Sequence, residues 1–206
     1  MRMKYLIIAL MFLSVNIFAQ DFLGVLSYNT ALPMGKTGDY ISDFSWKGFS
    51  FEGRSFTNRN WSFGGIFGWN IFDAKITDLI QIDNGDKGIT VKGTQLRYVN
   101  SFPIMATGHY YFGKRKNSLR PFLGVGVGTY YIIQRFDIGV FRREVSNWHF
   151  GLAPEAGVLL ALSRNTSLIL SVKYNYAFSA GKTVYGSTDN SQSYLGFNIG
   201  LAFAGY

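Results

Sequence analysis

The stretch Ser191–Tyr206, SQSYLGFNIGLAFAGY, contains no charged residue and alternates in character from one residue to the next. Small or polar residues alternate with five large apolar ones: Leu195, Phe197, Ile199, Leu201 and Phe203. A period of two predicts a β-strand that lies between two different environments. Because the large apolar residues continue almost to the C-terminus, the pattern indicates that the outside of this protein is lipid.

The same alternation recurs along the chain and predicts eight strands: 22–30, 46–56, 61–72, 95–112, 120–134, 147–162, 167–178 and 191–206. The facing of the first strand stays ambiguous. Connections near 58, 116 and 164 are short, whereas those at 31–45, 73–94, 136–146 and 179–190 are long and polar, with Asn84-Gly85 suited to closing a hairpin in the longest. We therefore expect an all-β fold, an eight-stranded antiparallel up-and-down transmembrane β-barrel with both termini at the short-turn end.

The apolar faces of these strands are too bulky for the narrow interior of an eight-stranded barrel, and they fit outside it. Trp61 and Trp69 share one parity and lie eight residues apart, which places them roughly 19 Å apart vertically on a tilted strand. With Trp148 they are interpreted as parts of two aromatic girdles. The alternative is that these tryptophans anchor the core of a soluble sandwich.

The opposite faces carry a few charges that must then point inward, since a lipid-facing charge costs about 2–4 kcal/mol near the bilayer midplane. Glu155 and Lys173 fall almost symmetrically about the turn at 164, so they should be direct or diagonal cross-strand neighbours. The sequence predicts an interior polar network that plugs the barrel, formed by Glu52, Arg54, Arg97, Glu155 and Lys173. The alternative is a proton or ion path.

The N-terminus has the layout of a secretory signal peptide over residues 1–19, followed by one barrel domain over 20–206. A membrane-anchoring helix is the alternative, but the apolar run is shorter than the roughly 20 residues that spanning requires. The chain has no cysteine, which excludes disulfides and thiolate metal sites. Its net charge of +8 comes mostly from basic residues in predicted turns, which favours anionic lipid headgroups over nucleic acid as the partner.

Signals of catalysis, cofactors or metal binding are weak. His109 and His149 lie on different strands without metal-ligand spacing, and no local His-x-Ser pairing is present. The run Gly124–Gly128 lacks the G-x-G-x-x-G spacing of a phosphate loop and is interpreted as room for the interior face. We expect no enzyme, no cofactor and no metal.

Three stretches resemble a known family: Phe18-Ala19-Gln20 at the signal end, RPFLGVGVG at 120–128 after a short basic turn, and the aromatic-rich closing strand. They are similar to the outer membrane protein beta-barrel domain family, small OmpA/OmpW-like barrels common in Bacteroidota. The resemblance implies an outer-membrane location and recognition of the last strand by the insertion machinery. The residues matching that signal are Asn198, Gly200, Phe203 and Tyr206, although the opposite parity of the last two departs from the usual pattern.

The leading hypothesis is a non-enzymatic, porin-like outer-membrane barrel with a narrow, polar, plugged interior and a structural or surface-loop interaction role. Its expected partners are outer-membrane lipids and the insertion machinery. The alternatives are a small channel or carrier for small hydrophobic molecules, a lipid A-modifying enzyme, and a soluble exported calycin-like barrel. The sequence identifies no ligand, surface partner or oligomeric state.

Overall fold

The computed structural model describes residues 21–82, 89–114, 117–139, 141–182, 184 and 189–205. It contains one short helix and eight strands: β1 Phe22–Met34, α1 Gly35–Tyr40, β2 Lys47–Phe56, β3 Trp61–Ile82, β4 Ile89–Tyr111, β5 Leu119–Ile138, β6 Phe141–Ala161, β7 Thr166–Ala177 and β8 Gln192–Gly205. The predicted signal peptide, residues 1–19, lies outside the described residues. Among those described, no helix is both long and apolar enough to cross a membrane.

The eight strands form a closed antiparallel ring in chain order, which confirms the predicted barrel. β1 closes the ring by pairing with β8 over its whole length, from Phe22 opposite Gly205 to Met34 opposite Ser193. The structure also resolves the facing of β1. Val25 is buried inside, whereas Tyr28 is half exposed on the outside.

Two predicted long loops are wrong, because the strands around them continue as hairpins. β3 and β4 remain paired up to Ile82 opposite Ile89, and β5 and β6 up to Ile138 opposite Phe141. The β3–β4 extension is rich in isoleucine, valine and threonine, which favour strands even among polar neighbours. Asn84-Gly85, the expected hairpin tip, lies outside the described residues.

The barrel interior is layered, whereas the sequence predicts a polar interior throughout. Near the short turns lies a lower apolar layer: Leu23, Val25, Tyr111, Phe122, Leu159, Ile169 and Ala202. Farther from the turns lies an upper apolar layer, which includes Phe72, Val99, Tyr130, Ile132 and Tyr194. The buried charged side chains of Glu52, Arg54, Glu155 and Lys173 lie between these layers: on β7, Lys173 follows Ile169 and precedes Ala177. Arg120, which is buried as well, lies at the short-turn end beyond the lower apolar layer.

The connection after β1 folds across the end of the barrel that lies away from the short turns. Thr37 of α1 is buried and donates a hydrogen bond to Gln192 Oε1 at 2.9 Å. The Tyr40 hydroxyl donates to the Arg135 carbonyl at 2.9 Å, and Ile41 packs into the upper apolar layer. These contacts make α1 a cap over the bore.

The exterior carries a continuous belt of aromatic side chains across five neighbouring strands. Ring centroids are 5.8 Å apart for Phe49 and Trp69, 5.6 Å for Trp69 and Phe102, 6.2 Å for Phe102 and Tyr131, and 5.0 Å for Tyr131 and Trp148. These spacings lie in the range of favourable aromatic pairs. Aromatic residues that ring a barrel are typical of a membrane–water interface.

Candidate functional site

The main candidate site is a cluster of five buried ionisable side chains inside the barrel, called here the charged layer. Its members come from β2, β4, β6 and β7: Glu52, Arg54, His109, Glu155 and Lys173. All five point inward because each occupies the interior parity of its strand.

Arg54 and Glu52 form the tightest ion pair of the charged layer. Arg54 Nη2 lies 2.8 Å from Glu52 Oε2 and 3.7 Å from Glu155 Oε2. Its Nη1 donates to the Tyr111 hydroxyl at 2.8 Å, and its guanidinium lies 4.9 Å from the centroid of the Phe122 ring. The Arg54 side chain, only 1% exposed, thus joins the charged layer to the lower apolar layer.

Glu155 is the centre of the charged layer because the side chains of Arg54, Lys173 and His109 converge on its Oε2 atom. Lys173, its direct cross-strand partner, places Nζ 3.4 Å away, and His109 Nε2 is also 3.4 Å away. His109 Nε2 lies 3.4 Å from Glu52 Oε1 as well, so the imidazole bridges the two carboxylates. Thr107 donates a hydrogen bond to Glu52 Oε1 at 2.9 Å, which satisfies a further acceptor.

A glycine allows His109 to reach Glu155 across an intervening strand. In the ladder of β4, β5 and β6, Gly124 lies opposite His109 on one side and Glu155 on the other. A Cβ atom at Gly124 would be 2.3 Å from His109 Cδ2, closer than real contacts allow. The imidazole therefore occupies the space that the missing side chain leaves. Sequence reasoning did not assign His109 to the network, although the alternating glycines of β5 indicated interior room.

The same cluster offers three possible metal ligands. One ligand atom each from Glu52, His109 and Glu155 lies within 4.8 Å of the others. Arg54 and Lys173, however, already balance the two carboxylates. A divalent cation would add two uncompensated positive charges to a buried site, which is costly. The charge balance therefore favours an ion-pair network over a metal centre.

Arg97, the fifth residue of the predicted interior network, lies elsewhere. It is twelve residues from His109 along β4, where Nη1 donates to the Tyr40 carbonyl at 2.9 Å and Nη2 to Gln95 Oε1 at 3.1 Å. Its guanidinium also lies 5.2 Å from the Tyr40 ring centroid. Arg97 thus fastens the α1 cap and is not part of the charged layer.

The tryptophans predicted to form girdles all face outward. Trp61 and Trp148 are well exposed, and Trp69 is partly covered and donates a hydrogen bond to Asn100 Oδ1 at 3.1 Å. Trp69 and Trp148 belong to the aromatic belt. Trp61 lies near the short turns, with its ring centroid 5.0 Å from that of Tyr110.

The residues matching the insertion signal divide between the two faces of β8. Asn198 faces inward and donates to Ser171 Oγ at 3.1 Å, and Gly200 is buried against Ser27. Phe203 is exposed on the outside, and Tyr206 lies outside the described residues.

A closed eight-stranded ring with a filled bore and an aromatic-belted apolar exterior defines the fold of small transmembrane β-barrels. Solved structures of that class are similar to this chain. Neisserial surface protein A aligns with a TM-score of 0.53 at 15% identity, covering 89% of this chain and 96% of that protein. Ail, the attachment invasion locus protein of Yersinia pestis, in complex with the heparin analogue sucrose octasulfate, aligns with a TM-score of 0.50 at 14% identity, covering 90% and 99%.

The resemblance to small outer-membrane barrels is thereby confirmed at the level of the fold. No protein-family model and no curated protein matches the sequence.

Proposed function

We propose that this chain is an integral outer-membrane barrel that acts as a structural element and as a carrier of surface-exposed hairpins, without catalysing a reaction. The observation that carries the membrane assignment is the exterior. Large apolar side chains stand exposed on every strand, among them Phe51 at 57% and Phe150 at 55%. In water, exposing them would be unfavourable by roughly 25 cal/mol per Å², whereas hydrocarbon covers them.

The filling of the bore supports a non-conducting role. Two apolar layers enclose the charged layer, and the α1 cap lies over the far end. An ion on the barrel axis would have to cross both apolar layers and lose its hydration. This arrangement weighs against the alternative of a small channel or carrier.

The positions of the two histidines weigh against an enzyme that modifies membrane lipids. His109 and His149 are the only histidines in the chain, and both are buried inside the barrel. His149 Nδ1 pairs with the Phe178 carbonyl at 2.9 Å. An acyl-transfer triad that acts on lipid needs its histidine on the outer surface beside a serine and an acid.

The long hairpins support a role in surface contacts. From Trp69 in the aromatic belt to Ile82, β3 continues for thirteen residues, roughly 40 Å along the strand. The hairpin thus extends well beyond the belt on the side away from the short turns. Ail, which has a similar fold, is an attachment protein by its name. The projecting β3–β4 hairpin would give the present chain a surface for similar contacts.

A substitution on the lipid face tests the membrane assignment. Val127→Arg places a charge at an exposed apolar site of β5, midway between Tyr131 of the aromatic belt and the level of Trp61, and Thr57→Arg in a short turn is the matched control. We expect Val127→Arg to lower the free energy of unfolding in lipid vesicles by about 2–4 kcal/mol and the control to change it by under about 0.5 kcal/mol. Equal effects of the two substitutions would refute the assignment.

Two further measurements test the role. The chain should fractionate with outer membranes, show heat-modifiable gel mobility and give no stable conductance in planar bilayers. Deleting residues 75–92 should preserve heat-modifiable mobility and reduce cell adhesion. Stable single-channel currents from the folded protein would replace this proposal with the channel alternative.

A further inference from the structure

Basic residues outnumber acidic ones most strongly at the short-turn end of the barrel. Among the described residues around the three short turns, one is acidic, Asp21, and four are basic: Arg59, Lys114, Arg120 and Arg164. At the opposite end the described residues include nine basic and seven acidic ones, and the charged layer is balanced. Such an imbalance at one end favours an anionic partner there.

A cavity of about 830 Å³ opens at this end, between the short turns. Its lining includes apolar side chains that also form or contact the lower apolar layer: Leu23, Phe56 and Leu159. The exposed basic residues Arg59 and Arg164 line it as well. The lower apolar layer closes the bore beyond it, so the cavity is a vestibule and not a passage.

Arg120 brings a buried positive charge to the same cavity. Its side chain is held by aromatic rings, with the guanidinium 4.7 Å from the Tyr111 centroid and 5.6 Å from the Phe56 centroid. Its Nη2 donates to the Arg59 carbonyl, which ties the β2–β3 turn to the cavity. Basic groups therefore lie both at the base and at the rim of the vestibule. A guanidinium in a partly desolvated position binds anionic oxygens more strongly than one in open water.

We propose that this vestibule binds a phosphate group, carried either by a soluble phosphate ester or by a lipid headgroup. A phosphate offers several oxygens to arginine and lysine donors on different turns. Lys114, on the turn that follows β4, also lines the cavity and adds a third rim charge. The apolar lining provides contact for whatever the phosphate is attached to. This site lies at the opposite end from the surface hairpins and adds a function that does not depend on them.

Isothermal titration of the full chain, refolded in non-ionic detergent at low salt, tests the proposal. The probes are glycerol 3-phosphate and dihexanoyl phosphatidylglycerol below its critical micelle concentration, with zwitterionic dihexanoyl phosphatidylcholine as the lipid control. The test variant is Arg59→Gln/Lys114→Gln/Arg164→Gln. The matched control, Lys36→Gln/Lys75→Gln/Lys182→Gln, removes three exposed cations from the other end.

We expect at least one phosphate probe to bind saturably, at least tenfold more weakly to the test variant and within twofold of the original affinity to the control. Equal binding of both phosphate probes identifies a soluble ester, and at least tenfold tighter binding of phosphatidylglycerol identifies a lipid headgroup. If the triple variant does not fold, Arg164→Gln alone should weaken binding at least threefold. Absence of saturable binding, equal loss in the control variant, or equally tight binding of phosphatidylcholine would overturn the proposal.

Discussion

We predict that breaking a buried ion pair of the charged layer lowers the free energy of unfolding more than breaking an exposed ion pair of this barrel. Lys173 and Glu155 are 3.4 Å apart with side chains 11% and 4% exposed. Lys47 and Asp73 at the barrel exterior are closer, at 2.8 Å, but 58% and 39% exposed. If distance decided the energy, the exposed pair would contribute more. We predict the reverse, because solvent screens the exposed pair.

The expected magnitudes follow from the partners that remain. Glu155→Gln leaves Lys173 buried without a carboxylate and should cost about 3–5 kcal/mol. Lys173→Met leaves Glu155 with His109 at 3.4 Å and Arg54 at 3.7 Å, so it should cost less, about 1.5–3 kcal/mol. Lys47→Met should cost under about 1 kcal/mol.

The assay is reversible urea unfolding in lipid vesicles, followed by tryptophan fluorescence and gel mobility, with single-channel conductance measured on the same samples. The double variant Glu155→Gln/Lys173→Met should cost less than the sum of the single variants, since it leaves no unpaired charge. Equal losses for Lys173→Met and Lys47→Met would refute the reasoning. A large rise in conductance on Lys173→Met without loss of stability would show that the layer is an ion path.

Three further predictions concern packing, the girdle and insertion. Gly124→Ala should displace His109 and lower the free energy of unfolding in urea by about 1–3 kcal/mol. Gly65→Ala, whose Cβ would lie 3.6 Å from the Met105 carbonyl oxygen, should lower it by under about 1 kcal/mol. In a variant that keeps Trp148 and replaces the other three tryptophans with phenylalanine, lipids brominated near the headgroup should quench the Trp148 fluorescence more than lipids brominated at the chain ends. The opposite order would place Trp148 away from the interface. Phe203→Ala should slow insertion into native membranes, and insertion at the original rate would remove Phe203 from the signal.

The strand pattern was predictable because lipid imposes a strong constraint. Apolar and small residues alternate along β8, and the same alternation assigned the inward facing of Glu52 and Glu155 without any coordinates. The long hairpins were missed because outside hydrocarbon the alternation weakens. Beyond Phe72, polar residues enter β3, yet backbone pairing with β4 continues.

The composition of the charged layer was only partly predictable. Parity places a residue on the inner face but does not give its height along the bore, which depends on how neighbouring strands are staggered. Arg97 therefore fell outside the cluster, and His109 fell within it. The His109 contact with Glu155 also depends on Gly124, which lies between them on a strand of its own. The sequence of a single strand does not show that one of its glycines makes room for a side chain on the neighbouring strand.

Because β1 pairs with β8, the barrel that the described residues form has no edge strand, and every strand in it has two neighbours. Phe22 and Gly205 are direct partners, so the two ends of the described ring lie side by side at the short-turn end. A circular permutant that links them and opens the chain between Ser163 and Thr166 would retain every strand neighbour in the ring. In such a permutant β7 would become the first strand and β6 the last. The order of strands in space and their order of emergence from the ribosome are therefore separable properties of this protein.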